Sequence, residues 1–202
     1  IENFVRFNIN AYKPNSGLNT GLLFIVWFFG TLVSLLGIYP IISILFISFC
    51  NIGTTISAIK FSRNKDYANF NLYYGVFAID FSIICLLLSY KAFVVYQKQN
   101  ILIFSLFIVI YLAVLYLWVK IIQRWIKSNK FGKFSFLDVF VPFGVAIGMI
   151  LSRLFLKDIS QEAAYMFVSI TSMLLSLICS GGVLSILKYI YIRKFNLVID
   201  LN

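Results

Sequence analysis

The stretch YGVFAIDFSIICLLLSY, Tyr74 to Tyr90, decides what kind of protein this is. Apart from Asp80 it holds only aliphatic, aromatic, small hydroxyl and thiol residues. It is nearly long enough by itself to cross the roughly 30 Å hydrocarbon core of a bilayer, for which a helix needs about 20 residues. A carboxylate in the middle of such a run is the anomaly to be explained.

The pattern recurs along the chain. Of 202 residues, 61% are hydrophobic and 12% charged, about half the share of charge in a soluble domain, and the mean hydropathy is +0.95. Six runs are apolar enough to span lipid: Gly21–Ile38, Pro40–Ile59, Leu72–Val95, Ile101–Ile122, Leu137–Leu156 and Ala163–Leu187. Gly37 and Pro40, in the turn GIYP, separate the first two. The polar QKQN separates the third from the fourth. The expected fold is all-α, a single polytopic domain over 1–202 with six transmembrane helices. About twenty mostly polar residues precede the first run, so no cleavable signal peptide is expected.

Basic residues set the orientation. Arg6 and Lys13 precede the first span, and Lys60, Arg63 and Lys65 follow the second. Lys120, Arg124, Lys127, Lys130 and Lys133 follow the fourth, and Lys188, Arg193 and Lys194 follow the sixth. The alternate links hold only Lys98 and Lys157, the latter offset by Asp158 and Glu162. The positive-inside bias therefore places both termini in the cytoplasm of a multi-pass plasma-membrane protein. A formal charge of +10 would suggest nucleic acid in a soluble chain. Here it is assigned to orientation and to anionic headgroups on the cytoplasmic side, with no nucleic-acid partner. In the arm IENFVRFNINAYK, Ile1, Phe4, Val5, Ile9 and Tyr12 fall near helical spacing. A short interfacial helix on the inner leaflet is expected there.

Depth can then be counted at 1.5 Å per residue. Asp80 lies about eight residues, or roughly 12 Å, inside the cytoplasmic edge of its span. The same level falls at Asn51 on the second span, with Thr54 and Thr55 one turn nearer the cytoplasm. On the sixth it falls at Ser180, Gly181 and Gly182, on the fifth between Gly144 and Gly148, and on the first near Gly30. A charged Asp at this depth costs about 2.5–3.5 kcal/mol on the insertion scale. A protonated carboxyl hydrogen-bonded to Asn51, Thr54 or Ser180 avoids most of that cost. Lys91 and Arg153 fall near the outer surface, where both can snorkel outward. The layer is thus either satisfied packing or a candidate polar site made by Asp80, Asn51, Thr54 and Ser180. Gly144, Gly148, Gly181, Gly182 and the serine stripe Ser172, Ser176, Ser180 are expected at helix-packing surfaces.

Chemistry is narrowed by what the sequence omits. There is no histidine, which removes histidine-based acid–base catalysis, histidine metal ligands and H-E-x-x-H. No paired carboxylates, P-loop or dinucleotide glycine pattern occurs, so neither catalysis, a metal nor a cofactor is expected. Cys50, Cys85 and Cys179 sit apart inside apolar runs and read as buried thiols. Three non-enzymatic classes remain. One is an accessory or self-protection factor of a bacterial plasma membrane, of the bacteriocin or toxin immunity type, with a toxin or membrane-protein partner. The second is a small carrier, or the substrate-binding membrane subunit of an importer, with its polar site around Asp80. The third is an integral subunit of a larger complex or channel. A bias toward Ile, Phe, Asn, Lys and Tyr, as in AT-rich bacterial genomes, favours the first by association. The two halves lack similarity, and Asp80 has no counterpart in the sixth span, which weighs against an inverted-repeat carrier.

Overall fold

Gly37 and Pro40 reverse the chain as their chemistry requires. In the computed structural model Gly37 takes φ +69° and Tyr39 φ 51°, left-handed values that glycine accepts freely and tyrosine does not. Pro40 then opens the next helix, where its missing N–H has no intrahelical partner to lose. The structure describes residues 2–6, 16–97, 101–128 and 160–197. They form α1 (Glu2–Arg6), α2 (Ser16–Leu35), α3 (Pro40–Arg63), α4 (Tyr67–Gln97), α5 (Ile101–Lys127), α6 (Gln161–Cys179) and α7 (Val183–Lys194). A 3₁₀ turn, Ser180–Gly182, divides α6 from α7, and no strand occurs among the described residues.

Among the described residues four stretches are long and apolar enough to cross a membrane: Pro40–Arg63, Tyr67–Val94, Ile108–Ser128 and Ala163–Lys194, the last running through the 3₁₀ turn. The apolar part of α2, Thr20–Leu35, is shorter. These helices point to a membrane protein. The expected fifth run, Leu137–Leu156, lies outside the described residues together with Gly144, Gly148 and Arg153.

The centre of the bundle is α4, which packs against α2, α3, α6 and α7. Gly75, Ser82 and Ser89 recur every seven residues, hence on one face of α4, and that face meets α6 and α7 antiparallel. Ser82 Oγ donates to the Ser176 carbonyl at 2.5 Å, and one heptad on, Ser89 Oγ donates to the Ser169 carbonyl at 2.7 Å. Ser169 Oγ returns a bond to the Ser89 carbonyl at 2.9 Å. At the other end Gly75 meets Gly182 with no room for a side chain. A Cβ on Gly182 would lie 2.8 Å from the Gly75 carbonyl oxygen and 2.7 Å from Ala78 Cβ. Gly182 itself has φ −53°, so it is needed for space and not for conformation. Small residues that let backbones touch are what drives helix pairing where lipid supplies no hydrophobic contrast. Of the four glycines expected at packing surfaces two are described, and of these only Gly182 is at one; a Cβ on Gly181 meets nothing within 4 Å, because the turn points it away from α4.

Lys91 also departs from expectation. It does not snorkel; it is 3% exposed and its ammonium donates to the carbonyls of Ser34 and Leu36, both at 2.7 Å. A helix C-terminus leaves its last carbonyls unpaired and partly negative, so the end of α2 is a nearer sink for this charge than the headgroups. At the opposite end Asp66 caps α4, accepting from the Asn69 backbone N–H at 2.6 Å. The same carboxylate pairs with Arg193 of α7 at 2.9 Å. This pair is half-exposed and worth little by itself, yet it fixes where α7 ends against α4.

In the described part of the N-terminal arm, α1, two apolar residues pack against protein. Phe4 and Val5 are each 1% exposed, packed with Tyr67, Ala68, Ile122 and Ile192. The Tyr67 hydroxyl donates to the Val5 carbonyl at 3.2 Å. The crevice at the ends of α4, α5 and α7 offers these side chains protein contact, which outcompetes the headgroup region. Ile9 and Tyr12 lie outside the described residues.

The glycine contact yields a direct comparison. Gly182→Ala is expected to destabilise the purified protein by about 1–3 kcal/mol through overpacking, while Gly181→Ala leaves stability unchanged within error. Denaturant titration of both variants in the same micelles, followed by loss of helical circular dichroism, checks this.

Candidate functional site

Asp80 and Lys91, eleven residues apart, share the face of α4 opposite the serine seam, so fixing that seam turns Asp80 toward α3. It is 3% exposed. Thr54, fully buried on α3, donates its hydroxyl to Asp80 Oδ2 at 2.5 Å. The register that makes this meeting is set further along the same antiparallel pair, where Phe61 stacks on Tyr73 with ring centroids 6.2 Å apart. Thr54 is held in turn, since its carbonyl accepts from Ser57 Oγ at 2.8 Å.

One bond does not satisfy a carboxylate. Asp80 Oδ1 is buried and has no hydrogen-bond partner among the described residues. Asn51 Oδ1, one turn away from Thr54 on α3, is likewise buried and unpartnered there, as is the Tyr111 hydroxyl of α5. Leaving a buried acceptor unpaired costs about 1–3 kcal/mol, and more in lipid, where water is not at hand to substitute. Three such atoms in neighbouring helices are a concentrated penalty. Beside Asp80 lies an open-sided pocket of about 170 Å³, lined by Cys50, Val76, Ile79, Asp80, Ile83 and Ile186. Among the described residues its wall is thus aliphatic apart from one thiol and one carboxyl.

The residues singled out in the sequence divide as follows. Asp80 and Thr54 are in contact. Asn51 is 1% exposed and packs against the Gly30 position, where a Cβ would come within 3.3 Å of its Nδ2. Ser180 is fully buried but does not bond Asp80; its hydroxyl turns back to the Leu177 carbonyl at 2.6 Å. The 3₁₀ turn leaves that carbonyl within reach of its own chain, and a short serine takes the local bond. Cys50 and Ile186 complete the pocket and were not foreseen. Cys50 precedes Asn51 and could be sought by helical phase from Thr54, whereas Ile186 is brought in only by the 3₁₀ turn. Thr55 lies on the side toward α2, accepting from Trp27 Nε1 at 3.1 Å.

Chemically the arrangement can accept hydrogen bonds from, or balance the positive charge of, a group entering the pocket. Among the described residues no group of three His, Cys, Asp or Glu side chains gathers to hold a metal ion. Comparison of the chain with protein-family models, curated proteins and solved structures finds no match.

The Thr54–Asp80 pair predicts a non-additive cycle. Thr54→Val strips the remaining partner from Asp80 and is expected to cost about 1–3 kcal/mol; Thr54→Ser keeps the donor and costs less. In the double variant Thr54→Val/Asp80→Leu no carboxyl remains to be stranded, so most of the loss is recovered. Denaturant titrations of wild type, Thr54→Val, Asp80→Leu and the double variant measure the coupling, with Thr54→Ser as the control that keeps the donor.

Proposed function

We propose that this chain is a small, non-enzymatic integral membrane protein whose working part is an intramembrane binding site at Asp80, as in a small carrier or the substrate-binding membrane subunit of an importer. The observation that carries this reading is that Asp80, whose buried Oδ1 has no partner among the described residues, lines an open-sided pocket. Lipid tolerates few stranded polar atoms, and ionisable residues inside a membrane segment commonly mark a ligand or ion path. A pure packing contact would instead be selected for satisfied acceptors or for leucine. In this reading the chain crosses the plasma membrane six times, with both termini in the cytoplasm. Lys60, Arg63, Lys65, Arg193 and Lys194, all exposed, then face anionic headgroups of the inner leaflet.

A second reading, protection of a bacterial membrane against a toxin, draws on α5. This helix touches the rest of the described bundle only lightly and presents Leu102, Leu106, Val109, Leu112 and Tyr116 outward. Such a face suits a membrane-embedded partner as well as lipid.

The two readings separate on one substitution. A library of small polar and charged compounds, screened for thermal stabilisation of the purified protein, is expected to yield compounds that stabilise the wild type and not Asp80→Leu. A ligand at a hundred times its Kd adds about 2.7 kcal/mol, enough to move the midpoint. If every stabilising compound acts equally on both proteins, the site reading fails. Protection of a sensitive bacterium by Asp80→Leu at full strength then favours the second.

A further inference from the structure

We propose that the ligand of this site is a small organic cation of the alkylammonium class, its N–H donors directed to Asp80 Oδ1 and its hydrocarbon body resting among Val76, Ile79, Ile83 and Ile186; this rests on the binding-site reading above.

The donor requirement comes first. Oδ2 is taken by Thr54 and Oδ1 has no donor among the described residues, so a ligand that engages Oδ1 of the ionised carboxylate must bring a hydrogen. An ionised donor forms a bond roughly twice as strong as a neutral one. It also cancels the carboxylate charge, so that the pair presents no net charge to the low-dielectric layer. An anion is repelled by the same carboxylate. The nearest basic group on this face of α4 is Lys91, about three turns away and committed to the Ser34 and Leu36 carbonyls, so it does not compete for Asp80.

The wall then selects carbon over a bare ion. A metal cation stripped of water asks for several oxygen ligands, six to eight for calcium. Among the described residues the pocket provides one carboxyl, with aliphatic side chains for most of the remainder. Those side chains gain nothing from an inorganic ion and gain contact with a hydrocarbon. The size follows from the volume. About 170 Å³ is close to the cavity of about 150 Å³ that admits benzene, and well under the roughly 300–1,000 Å³ of sites for drug-sized ligands. A chain of about four carbons on an ammonium group fits that space, and the open side leaves an entry.

The full chain, purified in detergent micelles, is titrated calorimetrically with n-butylammonium, n-butanol, butyrate and sodium chloride. Butylammonium is expected to bind, with butanol about tenfold weaker and butyrate showing no binding. Asp80→Asn, which keeps an acceptor for Thr54 and so preserves the helix contact, is expected to weaken butylammonium about tenfold or more. Ile83→Phe, which narrows the pocket and leaves Asp80 in place, is expected to abolish binding. Equal affinity for butanol and butylammonium, or binding untouched by both variants, overturns the proposal. If sodium binds the wild type and not Asp80→Asn while the organic probes do not bind, the organic-cation assignment falls and the Asp80 site stands. If no probe distinguishes wild type from Asp80→Asn, both fall.

Discussion

Inside a membrane a polar side chain can be satisfied only by protein, and α4 is built on that constraint. Asp80 is bonded by Thr54 of α3, Ser82 and Ser89 bond backbone carbonyls of α6, and Lys91 bonds the carbonyl end of α2. Four polar residues on one helix thus specify three neighbours, each by a different donor or acceptor. Any rotation of α4 about its axis would strand several of them together, at about 1–3 kcal/mol apiece. Hydrophobic burial cannot supply this specificity, because lipid tails match the apolar side chains as well as another helix does. The Gly75–Gly182 contact adds closeness to direction. With no Cβ on either side, the backbones approach until the serine hydroxyls reach across.

The same constraint explains why the unsatisfied atoms stand out. With the serine seam and Lys91 fully engaged, the rotational setting of α4 is determined before Asp80 is considered. Asp80 then receives one donor where a carboxylate has room for several. The α6–α7 segment, which the depth count placed at the same level, is interrupted at Ser180–Gly182 and spends the Ser180 hydroxyl on itself. Continuation into α7 brings Ile186, an aliphatic residue, to the pocket. The result, among the described residues, is a carboxyl with one unpartnered acceptor beside a largely hydrocarbon wall.

Much of this was legible in residue types and spacing. The helical class and the reversal at Gly37–Pro40 follow from apolar run length and backbone sterics, whereas 1.5 Å per residue puts Asp80 level with Asn51, one turn from the Thr54 that bonds it. Counting along straight helices places residues at a level but does not say which way each points. That is why Ser180 was expected to join Asp80 and does not, and why Gly181 was grouped with Gly182 although only one faces α4. The heptad relation of Gly75, Ser82 and Ser89 to Ser169 and Ser176 was present in the sequence. It becomes visible only when both antiparallel partners are aligned. Lys91 and the Phe4–Val5 arm misled for a shared reason: charge was assigned to headgroups and apolar side chains to lipid. A helix end and a protein crevice were the closer competitors.

The claim at the centre of this account is that Asp80 is a buried carboxyl to which, among the described residues, Thr54 alone is bonded. Infrared difference spectroscopy on protein labelled with 13C at the aspartate side-chain carboxyl tests it directly, the Asp80 band being identified by its loss in Asp80→Asn. The account predicts that this band shifts in Thr54→Val, keeps its position in Thr54→Ser, and moves when butylammonium is added. A band that Thr54→Val leaves in place would contradict it, because Asp80 would then be held by some other partner and its free oxygen would no longer define a site.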